Sequence, residues 1–227
     1  MENSTASSGY ARPMRITVHG HHRISRSPEL GRLHLQVEAS GPDRATALET
    51  VQEETARLSG ELQALRASGV LEQYAVQAPG THVERDHDEH GRPTVLRHVV
   101  SVAVTAVFTD AAVLGERVSE WALREPLEIG WVDWQLTEAT RRELEGSALT
   151  EAVADARRRA QVMAAAAGAG EVRVLEVADP GLLSGSEATQ DSGARFARAF
   201  GANGGGGIAV VPEDVTVEAA VQVRFEA

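Results

Sequence analysis

The sequence predicts an α+β protein, a mainly antiparallel sheet with helices packed on one face. Three observations carry that reading. Segments with strict two-residue alternation recur along the chain, with neighbouring pairs close enough to form hairpins. Longer segments with apolar residues every three or four positions lie between them. The resulting order, β-β-α-β-β-α-β-α-β-β, mixes hairpins with helices, which argues against a doubly wound parallel fold. Strand-helix-strand stretches of similar size around residues 31 to 83 and 98 to 136 also suggest a weak internal duplication.

The first element is "MRITVHG", where Met14, Ile16 and Val18 alternate with polar residues and Gly20 marks the expected end of the strand. After the turn-like "SRSPELG", Leu33, Leu35, Val37 and Ala39 alternate with Arg32, His34, Gln36 and Glu38. From Asp43, an N-cap behind Pro42, a helix carries Leu48, Val51, Thr55, Leu58, Leu62 and Leu65 until Gly69. That spacing suits a coiled-coil seam or a face packed on a sheet, and the shortness of the run favours the sheet. "EQYAVQAP" and "LRHVVSVAVTAVF" read as an antiparallel hairpin joined by the polar segment "GTHVERDHDEHGRP".

Asp110 then caps a short helix with Leu114, Val118 and Trp121 on one face, ending before Pro126. A strand from Ile129 to Leu136 places Val132, Trp134 and Leu136 inward and Asp133 outward. It feeds a long helix with Thr137 as expected N-cap, a small apolar stripe of Leu149, Ala152, Ala156, Ala160, Met163 and Ala167, and stops at Gly168 and Gly170. Asp155 one turn before Arg159 is the favourable order for a helical ion pair. "EVRVLEVAD" is the next strand. Residues 180 to 212 are rich in Gly and read as a flexible insertion. The chain closes on Val215, Val217, Ala219, Val221, Val223 and Phe225 at one parity and Thr216, Glu218, Gln222 and Arg224 at the other.

At 227 residues and 42% hydrophobic content the chain can bury a sizeable core. A net charge of -11 repels a phosphate backbone, and no basic face interleaved with aromatics offsets it, so nucleic acid is not an expected partner. All 22 basic residues are Arg, which excludes Schiff-base and phosphate-loop lysines. The absence of Cys excludes thiol nucleophiles, disulfides and Cys-based zinc sites. Residues 1 to 13, "MENSTASSGYARP", read as a disordered polar tail without an export signal, and no apolar run is long enough to span a bilayer. The expectation is a soluble cytoplasmic protein forming one domain over residues 14 to 227.

Several stretches resemble the SIMPL family. "MRITVHGHHRISRSPELGRLHLQVEASGPDRATAL" resembles its opening "ITV-G" strand, "PE" or "PD" turn, alternating strand and Ala-rich helix. "IGWVDWQL" with "EAVADARRRAQVMAAAAGAG" and "EVRVLEV" is similar to its later strand, "A-x-x-DA-x-x-RA" helix and following strand, and "VVPEDVTVEAAVQVRF" to its closing strand. These motifs are caps, turns and core alternation, so the resemblance implies a fold and no shared catalytic set. It implies roles ranging from exported antigens that form oligomeric, channel-like assemblies to a signalling adaptor and proteins of oxidative-stress tolerance. The chain departs from many bacterial members in lacking an export signal.

Candidate chemical groups each have a plainer alternative. His87 and His90 with Asp86, Asp88 and Glu89 carry metal-ligand chemistry, or form a solvated loop tip. His19, His21 and His22 straddle Gly20 as exposed imidazoles at a strand end. The run Gly204 to Gly207 lacks the "GK[ST]" ending of a phosphate loop and reads as a flexible loop. Asp133 between Trp131 and Trp134 is either an acid in an aromatic pocket or a solvent-facing strand residue. No "G-x-S-x-G" elbow occurs. No catalytic, cofactor-binding or metal residue is therefore assigned, and no cofactor is expected. The favoured expectation is a non-enzymatic binding or assembly protein that forms a homo-oligomer with an unknown protein or small-molecule ligand, "MRITVHG" being the expected intersubunit edge. An enzyme whose site forms only in three dimensions and a His/Asp metal-binding module are the alternatives.

Overall fold

The computed structural model describes residues 14–87, 93–183 and 210–227. The elements run β1 (Arg15–Arg26), β2 (Leu30–Gly41), α1 (Arg44–Ala67), β3 (Leu71–Val76), β4 (Gly80–His87), β5 (Pro93–Phe108), α2 (Ala111–Trp121), β6 (Leu127–Gln135), α3 (Glu138–Ala166), β7 (Arg173–Ala178) and β8 (Val215–Glu226). The α+β class is as the sequence predicts, with the strands shared between two antiparallel sheets instead of one. The described residues group into two compact units, one comprising 26–137 with 210–215, the other 14–25, 138–183 and 216–227.

The first unit holds a five-stranded sheet in the order β3-β5-β2-β6, with β4 also paired to β5. Leu35 lies across from Val104 on one side and Ile129 on the other, and Leu33, Leu35, Val37, Val102, Val104, Ala106 and Phe108 are buried beneath α1 and α2. Leu58, Leu62, Leu114, Val118 and Trp121 come from those helices, so the apolar face of α1 packs on the sheet and not on a coiled-coil partner. Asp43 caps α1 as expected, accepting from the N–H groups of Ala45 and Thr46. Hydrogen bonds from the Thr46 hydroxyl, then from the Thr46 and Ala45 amides, hold its carboxyl below the ordinary value. At the other end Gly69 takes φ of 81°, and Val70 N–H reaches back to Leu65 O, the closure that a residue without Cβ permits.

The segment read as a polar connection forms β4. Thr81 pairs with Val100 and Val83 with His98, so the true hairpin is β4-β5, and β3 adds to the far half of the same edge of β5. Val83 and Leu96 are 40% and 48% exposed. Away from helix cover this hairpin has no face that must be apolar, so its composition mimics a loop. Residues 1–13, 88–92 and 184–209, which hold the expected tail and most of the expected Gly-rich insertion, lie outside the described residues.

The second unit is the sheet β1-β8-β7 with α3 against it. Met14 and Ala227 exchange backbone hydrogen bonds, and the Ser25 and Thr216 hydroxyls meet at 3.0 Å, which fixes β1 and β8 as antiparallel over their length. Val217, Val221, Val223 and Phe225 are buried, as the closing alternation predicts. The stripe on α3 differs from the expected one. Ala152, Ala156, Ala160 and Ala164 are fully buried at four-residue steps, while Leu149 and Met163 are 44% and 47% exposed and Ala167 is exposed. A single i,i+4 ridge of methyl groups seats the helix, and larger residues at the mixed spacing fall beside it. Gly168, at φ of 75°, ends the region, with Ala169 N–H bonded to Ala164 O.

β1 does not stop at Gly20 but continues to Arg26. A Cβ on Gly20 would lie 1.9 Å from Ala152 O and 2.8 Å from the Ala156 Cβ, so this glycine marks close helix-strand approach and not a strand end. His21 N–H donates to Asp155 Oδ2 at 3.3 Å and the Arg159 guanidinium donates to His19 O. Asp155 makes its helical ion pair with Arg158, at 3.3 Å, and Arg159 is spent on the strand. Among the described residues no helix is long and apolar enough to cross a membrane.

Candidate functional site

The polar groups of the five-stranded sheet gather on the face opposite the helices. Burial of Leu33, Leu35 and Val37 under α1 turns Arg32, His34, Gln36 and Glu38 outward, because neighbouring strand residues point to opposite faces. β6 would present the wrong residues beside them without an irregularity. Leu127 and Ile129 face the core, and continued alternation would send Trp131 and Asp133 inward.

Leu33 pairs with Val132 and Leu35 with Ile129, so one residue of β2 opposes two of β6, Gly130 and Trp131. This bulge flips the parity. Val132 and Trp134 then pack on the core, as the sequence predicts for them, and Trp131 and Asp133 turn outward. The bulge needs glycine, since a Cβ at Gly130 would lie 2.8 Å from His34 O.

Three side chains meet as a result. The His34 ring stacks on the Trp131 indole with centroids 4.3 Å apart and planes 12° off parallel, and His34 Nε2 lies 2.8 Å from Asp133 Oδ2. A carboxylate only accepts, so Nε2 carries the proton of this hydrogen bond. Half of Trp131 stays exposed, at 51%, and the Asp133 side chain is 42% exposed. Asp133 is thus a solvent-facing strand acid, the plainer of its two expected readings, with His34 as an unforeseen partner. Arg32 stands across from Asp133 in register, half-buried, and its Nε has no hydrogen-bond partner among the described residues.

The other sequence candidates are placed differently. His19 and His21 lie within β1, exposed, with ring centroids 6.2 Å apart. His21 and His22 with Arg23, Glu218, Ala219 and Ala220 line an open hollow of about 680 Å³, in which Arg23 and Glu218 form an ion pair at 2.6 Å. His87 ends β4 by its backbone pairing, while Asp88, Glu89, His90 and Gly204 to Gly207 lie outside the described residues. Among the described residues no group of three or more His, Asp or Glu is placed to hold a metal ion.

A buried ionic cluster also escaped the sequence reading. Glu54 on α1, 4% exposed, accepts from the Arg124 guanidinium, which also meets both Glu61 oxygens at 2.8 Å, and Trp121 Nε1 donates to Glu61 Oε2 at 2.8 Å. Burial opposes the charge on Arg124, but the hydrogen bonds to Glu61 and Glu54 outweigh it and raise its pKa above the ordinary arginine value. This cluster fastens α1 to the end of α2.

Finally, β7 pairs only with β8 among the described residues, and along it Val174, Leu175 and Val177 are 42%, 42% and 49% exposed. Its charges pair with β8, Arg173 with Glu226 at 2.5 Å and Glu176 with Arg224 at 2.8 Å, the Arg173 side chain staying 76% exposed.

No curated protein matches the sequence. The family model for SIMPL, described as a protein of unknown function (DUF541), matches residues 16–225, nearly the whole chain. The chain, with its α+β strands and Ala-ridged helix, therefore belongs to the SIMPL (DUF541) family.

Proposed function

We propose that this protein is a non-enzymatic assembly module that associates with further copies of itself through the edge of β7. The observation that carries the reading is that edge, with Val174, Leu175 and Val177 between two-fifths and half exposed. An edge strand presents a row of backbone donors and acceptors, and proteins that stay apart guard it with charge, proline, a bulge or a covering element; β7 has one such irregularity, the register shift between Val174 and Glu176. Here Arg173 and Glu176 are paired with Glu226 and Arg224 of β8, so the edge carries no uncompensated charge from them, and Val174, Leu175 and Val177 supply its exposed apolar part, although the Arg173 side chain is itself 76% exposed. β1, the edge expected from sequence, is the less suitable one. Arg159 and Asp155 of α3 already occupy the backbone groups of His19 and His21.

Light scattering coupled to size-exclusion chromatography tests this. The parent is expected at a multiple of the 24.2 kDa chain mass, and Leu175→Lys with Val177→Lys at the chain mass itself. Both positions are exposed, so the substitutions leave the core intact. A parent that elutes as a 24.2 kDa species at micromolar concentration overturns the proposal.

A further inference from the structure

We infer that the outer face of the five-stranded sheet carries a binding site for a neutral saccharide, centred on Trp131. The site is separate from the β7 edge and stands or falls without it. Its centre is an aromatic platform: the indole is backed on one side by the parallel His34 ring, and Trp131 remains 51% exposed. An indole face is electronegative, and it attracts the weakly positive C–H face of a sugar ring.

Around the platform stand groups of both kinds. Asp133 accepts, with one oxygen committed to His34 and the other not. Arg32, across from Asp133 in register, has guanidinium donors and makes no ion pair within 4 Å among the described residues. A ligand facing Asp133 and Arg32 together meets no net charge. That balance disfavours an organic cation or a phosphate, either of which would face one like charge, and favours a ligand whose hydroxyls both donate and accept.

The geometry is held in advance. The bulge at Gly130 sets Trp131 and Asp133 outward, and the Asp133–His34 hydrogen bond fixes the ring that supports the indole. Trp131 and the Asp133 side chain are 51% and 42% exposed and not enclosed, which suits one or two rings of an extended chain better than an engulfed monosaccharide.

The test follows the indole N–H signals of Trp121, Trp131 and Trp134 in ¹H–¹⁵N spectra of the full chain during titration with maltohexaose, cellohexaose and hexa-N-acetylchitohexaose. At least one of them should shift the Trp131 signal saturably at millimolar concentration and leave Trp121, which is fully buried, in place. Asp133→Ala should weaken the apparent Kd about tenfold, the effect of losing one charged hydrogen-bond partner, while its backbone spectrum keeps the parent's dispersion. Trp131→Leu should abolish the response of the Asp133 and His34 amides. Saturation by tetramethylammonium chloride or sodium phosphate in place of the saccharides overturns the inference. So does an unchanged Trp131 signal with all three oligosaccharides, or an Asp133→Ala variant that binds as the parent does.

Discussion

Arg124→Ala is the perturbation whose cost the structure defines best. Glu54 is 4% exposed, and its oxygens have two cationic neighbours, Arg124 on Oε1 and Arg57, at 3.4 Å, on Oε2. The Arg57 side chain is 66% exposed and that of Arg124 only 18%. Removing Arg124 therefore leaves a buried carboxylate with one weak, solvent-screened partner, and strips Glu61 of both its guanidinium contacts. Breaking a buried ion pair from one side costs about 3–5 kcal/mol. Glu61 is 37% exposed and keeps Trp121 Nε1, so water and the indole recover part of the loss, and about 3 kcal/mol is expected.

For a chain of this size that corresponds to a fall of about 6–12 °C in the midpoint of the transition that near-UV circular dichroism reports for Trp121. Glu54→Gln in the Arg124→Ala background should regain about half, because it removes the stranded charge. Arg117→Ala, which breaks the more exposed pair with Glu120, should stay within about 0.5 kcal/mol of the parent. An Arg124→Ala protein melting within about 2 °C of the parent, or a double variant no more stable than the single one, would refute the account of this cluster.

Gly20→Ala should destabilise the three-stranded unit by about 3 kcal/mol, since the new methyl meets the Ala152 carbonyl of α3 and not a side chain that can swing away; chemical denaturation measures it, and a neutral result would mean that α3 can lift off β1. Val221→Asp puts an unpaired charge at a site 4% exposed, a cost of several kcal/mol against a total stability of about 5–15, so the β1-β8-β7 unit should fail to fold, as loss of amide protection there would show. Asp43→Asn keeps the cap geometry but removes the titration. The Asp43 carboxyl is held below its ordinary value of 3.8, so its contribution is present above about pH 4 and is lost as the pH falls through the folded-state value. The acid limb of the stability profile should accordingly be shallower in the variant, and identical limbs would count against the cap.

The strong local patterns were legible in the sequence because they follow from backbone periodicity alone. The parity of Leu33 to Ala39 and of Val217 to Phe225, the cap at Asp43 and the stops at Gly69 and Gly168 all express which face is buried and where the chain must turn. A glycine inside a strand pattern signals either a stop or a close approach, and spacing does not say which. At Gly20 the pattern suggested a stop, and the Ala152 backbone pressed against it made it an approach. In β6 the inward set Val132 and Trp134 was legible, but the bulge at Gly130 and the meeting it produces were not, because His34 lies 99 residues from Asp133 and only sheet pairing brings them to 2.8 Å. The same limit hid Glu54, whose helical position looks solvated until Arg124, 70 residues later, arrives beside it. Polar residues took their meaning from partners distant in sequence, and the tertiary structure alone chose those partners, whereas apolar residues declared their side of the chain locally.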